Sequence, residues 1–307
     1  MNSSLLAKAP FAMSRLARHA WLVVALAIYL ATPTARAAIK DTAINVAVYG
    51  FEYSQNLGAA ANTLEANGYG ATAVTLIDIA AGLPGYDVLY VTHPYDGGGW
   101  SQAACNGMKA FLARGKGVVF EWDGAILPFT SLGPNVYVNA SPQCALFKGS
   151  VDRGKSVGFN TPIAITDPGS PLTRGLTGPI AMGAASDYMY QVTGYDANLW
   201  KISATYSGWG QASNPALMYA RYKDTGCVAV ATMALGDNGY STLLDMSSRS
   251  LFLNLMATVA PGASTCIGAP FSDGIPIPTT SPLALVALLL LLGVIGAHQR
   301  RRAVPRR

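Results

Sequence analysis

Carboxylate and aromatic side chains follow several apolar, strand-like segments of this 307-residue sequence. Glu121 and Asp123 come at the end of one such segment, and His93 and Asp96 follow another. Two carboxyl groups can act as general acid and base on a glycosidic bond, and carboxylates beside aromatic rings also suit a bound sugar or a Ca²⁺ ion. The candidate ligand-binding residues are His93, Asp96, Trp100, Glu121, Trp122, Asp123 and Asp237.

Each of these residues also has a structural interpretation. Glu121 and Asp123 can cap the turn that follows their strand, and His93 can end a strand with its imidazole bonded to the backbone. Trp100 and Trp122 are more often part of a core than a platform for a sugar. Glu121, Asp123 and His93 are the only catalytic set that we consider, and the sequence has no Gly-x-Ser-x-Gly turn that would supply a serine nucleophile.

The elements that must position these residues alternate between strand and helix. Apolar runs predict strands at Ala43–Tyr49, Ala71–Ile77, Asp87–Thr92, Gly117–Trp122, Leu199–Ala204, Ala216–Tyr222 and Cys227–Ala234. Helical spacing predicts helices at Leu57–Asn67, from the cap Ser101 to Gly115, and at Arg249–Val259. Residues 125–185 are expected to be irregular, apart from an extended piece at Thr161–Thr166. The pattern predicts an α/β fold whose parallel sheet has helices on both faces, with added strands and with ligands at the carboxyl ends of the strands.

Several segments in order resemble the class I glutamine-amidotransferase-like superfamily, in particular its ThuA-like branch. They are Tyr86–Val91, Met108–Val119, Thr166–Leu176, Asp187-Tyr188, Val228–Gly236 followed by Tyr240, and Leu251–Asn254. The resemblance implies a flavodoxin-like sheet over residues 38–262. It also implies a nucleophilic Cys within Gly-x-Cys-x-Gly after the fourth strand, where this chain has Phe120-Glu121-Trp122-Asp123-Gly124.

Trp122 therefore stands at the nucleophile position, and an indole cannot attack a carbonyl carbon. Ser170 likewise stands where the family has a histidine. We expect a domain without amidotransferase activity, most simply a surface binding or structural module. The alternatives are an envelope glycan hydrolase that uses Glu121, Asp123 and His93, and a membrane-tethered subunit that binds a partner protein.

Residues 1–37 have the pattern of a secretory signal peptide. Arg15 and Arg18 precede the apolar stretch Trp21–Ala31, and Ala35 and Ala37 are the small residues that signal peptidase prefers before its cut. An uncleaved N-terminal anchor is the alternative, and translation can start at Met1 or at Met13.

The C-terminus has the composition of a sorting signal. A Pro/Ser/Thr-rich linker at 263–282 precedes an apolar segment at 283–298, and five arginines lie within the tail at 299–307. The apolar run Leu283–Ala297 would form a helix of about 22 Å, shorter than the ~30 Å hydrocarbon core. The tail resembles the PEP-CTERM and IPTL-CTERM signals of Gram-negative envelopes, with a motif at Pro276, Ile277, Pro278 and Thr279. That resemblance implies recognition by an exosortase-type protease, whereas a plain membrane anchor is the alternative.

Charge and cysteine content describe the part between these two ends. Four of the 21 basic residues lie in residues 1–37 and five in the tail, so 12 basic residues face 16 acidic ones and the net charge between the ends is −4. Such a balance does not favour binding to nucleic acid. The four cysteines 105, 144, 227 and 266 all lie in this part, which favours two disulfides in one of three pairings. Proximity in sequence favours 105–144 and 227–266.

Overall fold

A mixed sheet of nine strands forms the centre of the protein. The computed structural model describes residues 44–50, 57–93, 99–134, 142–152, 161–181, 189–208, 211–236, 246–262 and 266. The strands are β1 (Asn45–Gly50), β2 (Gly70–Ala73), β3 (Val88–His93), β4 (Gly117–Glu121), β5 (Phe129–Leu132), β6 (Phe147–Asp152), β7 (Pro162–Ile165), β8 (Ile180–Ala181), β9 (Gln191–Thr193), β10 (Trp200–Gly208), β11 (Gln211–Tyr222) and β12 (Gly226–Ala231).

The central sheet has a parallel half and an antiparallel half. Its strand order is β2-β1-β3-β4-β12-β11-β10-β7-β8. The first five strands run parallel to one another, and each later strand is antiparallel to its neighbour. The parallel sheet with added strands that the sequence predicts is therefore confirmed. Its topological switch point lies between β1 and β3, because β2 was added on one side of β1 and the later parallel strands on the other.

Side chains alternate between the two faces of the parallel strands, and both faces are covered. In β1, Val46 and Val48 face one core while Ala47 and Tyr49 face the other, as the two-residue repeat of a strand requires. Helices α1 (Leu57–Ala66) and α4 (Met246–Val259) cover the first face. The second face is covered by α2 (Leu76–Ala80), by α3 (Gln102–Ala113) and by a small sheet of order β5-β6-β9.

The strand that we predicted at Ala71–Ile77 is wrong in its second half. Strand β2 ends at Ala73, and α2 begins at Leu76. The hydroxyl of Thr75 accepts a hydrogen bond from the amide of Asp78, and the Asp78 carboxylate accepts one from the amide of Thr75. This reciprocal cap satisfies two N–H groups at the start of the helix, and it outweighs the β-branched composition of the segment.

The middle of the chain contains more regular structure than we predicted. Strands β5 and β6 lie within residues 125–185 and form the second sheet with β9. The motif at 166–176 forms a short 3-10 turn, Pro171–Thr173, which Ser170 caps. The side-chain amide of Asn254 in α4 donates to the carbonyls of Leu172 and Arg174. In this chain the motif therefore fastens the segment between β7 and β8 to the closing helix.

Both disulfides that proximity in sequence favoured are confirmed. Cys105 is bonded to Cys144, and Cys227 to Cys266. Structural disulfides of this kind indicate that the protein folds in an oxidising compartment outside the cytoplasm. The predicted signal peptide and C-terminal sorting segment lie outside the described residues. No helix of the described part is long and apolar enough to cross a membrane.

Candidate functional site

The carboxyl ends of β1, β3, β4 and β12 lie side by side at one edge of the parallel sheet. His93 is the last residue of β3, and its backbone is in register with Gly50 at the end of β1. Glu121 ends β4, where Trp122 and Asp123 follow. Asp96 and Asp237 lie outside the described residues. The structure thus brings His93, Glu121, Trp122 and Asp123 to the predicted edge.

A tight turn after β4 holds Trp122 in an unusual backbone conformation. The φ angle of Trp122 is 49°, in the left-handed region that bulky residues rarely adopt, and a 3-10 helix runs from Trp122 to Ile126. The turn lies close against β3, because a Cβ on Gly124 would be 2.3 Å from the carbonyl oxygen of Val91. The Trp122 side chain is only 5% exposed and belongs to the core under the second face.

Glu121 is completely buried and binds the turn that follows the neighbouring strand β12. Its Oε1 atom accepts hydrogen bonds of 2.9 Å from the backbone amides of Leu235 and Gly236. The hydroxyl of Thr92 in β3 donates to the same oxygen at 3.4 Å. One carboxylate therefore connects the carboxyl ends of three adjacent strands, which satisfies backbone donors that water does not reach.

Asp123 is also buried, and it connects the turn after β4 to the segment before β9. The hydroxyl of Tyr190 donates a hydrogen bond to Asp123 Oδ1. The hydroxyl of Tyr206 in β10 donates at 3.0 Å to the backbone carbonyl of Tyr190, whose own amide donates to the carbonyl of Thr232. Asp123 is 1% exposed, so this network is isolated from bulk water.

Trp100 lies in the core and not on an open surface. Its ring is 1% exposed and makes an edge-to-face contact with Tyr49, with ring centroids 5.3 Å apart. The side chain of Gln143 donates to its backbone carbonyl at 2.7 Å. In this conformation neither Trp100 nor Trp122 presents a ring face on which a sugar could stack, since both rings are almost completely enclosed by protein.

Several residues that complete this edge were not identified from the sequence. They are Thr92, Tyr190, Tyr206 and the amides of Leu235 and Gly236. Among these residues only Gly236 carries a signal in the sequence, because a glycine can mark a close approach to a neighbour. A Cβ at Gly236 would be 2.4 Å from the hydroxyl oxygen of Tyr90. Nothing in the spacing of Tyr190 connects it with Asp123.

The described residues contain no group of three or more His, Cys, Asp or Glu side chains that could hold a metal ion. The Ca²⁺ site that we considered would also involve Asp96 and Asp237, which lie outside those residues, so it stays a prediction. Glu121 Oε1 accepts from the turn after β12, whereas Asp123 Oδ1 accepts from the hydroxyl of Tyr190, so these two oxygens have different partners.

Two groups outside this cluster have shifted pKa values. Burial raises the pKa of Tyr69, the residue before β2, to about 12. The hydroxyl and the amide of Thr75 both bind the Asp78 carboxylate, and these bonds lower the pKa of Asp78.

These features define an amidotransferase-like α/β fold with a tight turn after its fourth strand. Two solved structures of ThuA-like proteins have a similar α/β fold, each with a TM-score of 0.50 and 13% sequence identity. The protein from Bacteroides uniformis aligns over 70% of this chain and 91% of its own, and the one from Parabacteroides merdae over 76% and 94%. A GMP synthase-type protein from Thermoplasma acidophilum aligns over 70% and 92%, with a TM-score of 0.46 and 12% identity.

No protein-family model matches this sequence, and no curated protein is similar to it. At 13% identity the two ThuA-like structures establish the fold and leave the function to be argued from the residues of this chain.

Proposed function

We propose that this protein is an exported amidotransferase-like domain that has no amidotransferase activity and acts at the cell envelope as a binding or structural module. The observation that carries the proposal is Trp122. It occupies the turn where the resemblance implies a nucleophilic cysteine, and its indole is only 5% exposed. A nucleophile has to be reachable by substrate and activated by a base, and an indole satisfies neither condition.

The two carboxylates beside Trp122 support the same proposal. A general acid or base has to reach the proton that it transfers. Glu121 instead receives two backbone amides from the turn after β12, and Asp123 receives the hydroxyl of Tyr190. Both side chains are at most 1% exposed. Their contacts favour a structural role over that of a catalytic pair in a glycan hydrolase.

Export is supported by the two disulfides and by the two ends of the sequence. We infer that signal peptidase removes residues 1–37 and that an exosortase-type protease recognises the motif at 276–279. The segment at 283–298 enters the membrane before that step. A glycan of the envelope or of the surrounding matrix stays a proposed partner, and residues other than the enclosed Trp100 and Trp122 would have to bind it.

The test of the catalytic part compares the wild-type protein with Glu121→Gln after purification from the envelope of the producing cell. Both proteins are assayed for hydrolysis of glutamine, esters and a panel of glycans. We expect no turnover from either protein. Turnover by the wild type that disappears in a folded Glu121→Gln variant would replace the proposal with the glycan hydrolase.

The intact mass of the same preparation tests export and sorting. We expect a chain that begins near Ala38 and lacks the arginine tail. A protein with both ends intact in the cytosolic fraction would contradict this part of the proposal.

A further inference from the structure

The Cys227–Cys266 disulfide joins the end of the described chain to the middle of the central sheet. Cys227 is the second residue of β12, the fifth of nine strands, which pairs with β4 on one side and β11 on the other. The Cα atoms of Cys227 and Cys266 are 5.8 Å apart, and the Sγ atom of Cys266 lies 3.4 Å from the carbonyl oxygen of Ala220 in β11. The chain that leaves the domain after α4 is therefore bonded to a central strand.

Helix α4 lies inside the covalent loop that this disulfide closes. The two cysteines are 39 residues apart, and the loop contains the rest of β12, the turn at Leu235-Gly236 and all of α4. A pulling force on the C-terminal tail reaches Cys266 first. It then passes through the S–S bond to Cys227, so the residues between the two cysteines carry none of it.

Without the disulfide, the same force would act on α4 directly. The helix packs on the sheet through apolar side chains, among them Leu251, Phe252, Leu255 and Met256. Such contacts can break one helical turn at a time when the end of a helix is pulled, since each turn buries its own side chains. The attachment point at Cys227 is different, because there the chain pairs with Arg221 of β11 on one side and with Gly117 of β4 on the other.

We propose that the Cys227–Cys266 bond is a strap that keeps force on the C-terminal tail away from α4 and from the turn that binds Glu121. Its use in the cell rests on the proposed attachment of the tail at the envelope. The mechanical behaviour itself does not, since it follows from the position of the two cysteines.

The other disulfide provides a matched control. Cys105 and Cys144 are also 39 residues apart, so both bonds restrict the unfolded chain over loops of the same length. Cys105 lies in α3 and Cys144 in the short 3-10 helix Pro142–Cys144, far in sequence from the tail. A difference between the two variants therefore reports the position of the bond and not its effect on the entropy of the unfolded chain.

The experiment is single-molecule force spectroscopy on the exported protein as it is purified, held by its two termini. Three proteins are compared: the wild type, Cys227→Ser/Cys266→Ser and Cys105→Ser/Cys144→Ser. In the Cys227→Ser/Cys266→Ser protein we expect an early event at low force that releases about 35 residues, or about 120 Å of chain at ~3.5 Å per residue. The other two proteins should lack it.

A Cys227→Ser/Cys266→Ser protein that unfolds at the wild-type force, with no early event, would overturn the strap. If that variant does not fold, the Cys105→Ser/Cys144→Ser protein is first folded with its remaining disulfide and then reduced while under low force. The early event must then appear on reduction, and its absence contradicts the proposal. Cell fractionation tests the attachment separately, so a failure of the proposed function and a failure of the strap are distinguishable.

Discussion

The two edges of the parallel sheet hold carboxylates in opposite environments. At the carboxyl edge, Glu121 and Asp123 are at most 1% exposed. At the amino edge, Asp87 binds the Lys116 ammonium at 2.8 Å and accepts a 3.0 Å hydrogen bond from the amide of Asn45. The side chains of Lys116 and Asp87 remain 30% and 26% exposed.

Both edges use a carboxylate to connect neighbouring strands, but the free energies involved differ. Removing a carboxylate from water costs several kcal/mol unless its partners compensate, whereas a partly exposed ion pair contributes about 0–1 kcal/mol. The amino edge shows that strands can be joined without burial. The buried carboxylates and the left-handed Trp122 are therefore the costlier construction of the two, and their replacement should have larger effects than replacement at the amino edge.

Trp122 gives the largest expected effect. Replacement by Ala should destabilise the protein by about 3–5 kcal/mol, because a buried indole is lost and the cavity does not fully close. Replacement by Gly should cost about 1 kcal/mol less than Ala, because glycine has no penalty at positive φ. Urea denaturation of the three proteins measures both differences.

The order of these two variants tests the turn itself. In an ordinary strand or helix, Gly is less stable than Ala by about 0.5–1 kcal/mol. A Gly variant less stable than the Ala variant would therefore show that residue 122 is not in the left-handed conformation, and the contrast between the edges would lose its main support.

Sequence patterns predicted the parallel half of the sheet well, since apolar strands buried on both faces stand out as continuous runs. The segments that became β1, β3 and β4, and the Ser101 cap of α3, were all found from local composition. The short strands of the small sheet were missed, because a strand such as β5 alternates weakly and is defined by its partners.

The location of the site was predictable, but its internal contacts were not. Glu121, Trp122 and Asp123 could be placed at the edge because they follow an apolar strand. The partners of Glu121 are backbone amides 114 and 115 residues further along the chain, and backbone groups leave no mark in a sequence. The contact between Tyr190 and Asp123 spans 67 residues and depends on how β9 and β10 are placed.

Replacement of Glu121 tests the contrast between the carboxyl edge and the amino edge directly. Glu121→Ala leaves the buried amides of Leu235 and Gly236 without their acceptor and should cost about 2–4 kcal/mol. Glu121→Gln keeps a carbonyl oxygen that can accept both bonds, so we expect a loss of about 1 kcal/mol. Hydrogen exchange at the two amides, followed with urea denaturation, separates a local opening of the turn from a global loss of stability.

Asp87→Asn is the matched control at the amino edge. It should lower stability by less than about 1 kcal/mol, because its ion pair is partly exposed and screened by solvent. Equal losses for Asp87→Asn and Glu121→Ala would remove the distinction between the edges.

The smallest effect concerns pH at the amino edge, where Tyr69 precedes β2. Burial raises the pKa of Tyr69 from 10.0 to about 12, so the folded protein holds this proton more tightly than the unfolded chain does. The resulting stabilisation is complete below pH 10 and is lost as the pH rises toward 12. Between about pH 9 and 11, the urea midpoint of the wild type should therefore fall more steeply than that of Tyr69→Phe. The difference in slope corresponds to at most one proton that the folded protein holds and the unfolded chain has released. Identical slopes for the two proteins would mean that the pKa of the Tyr69 phenol is the same in the folded protein and in the unfolded chain.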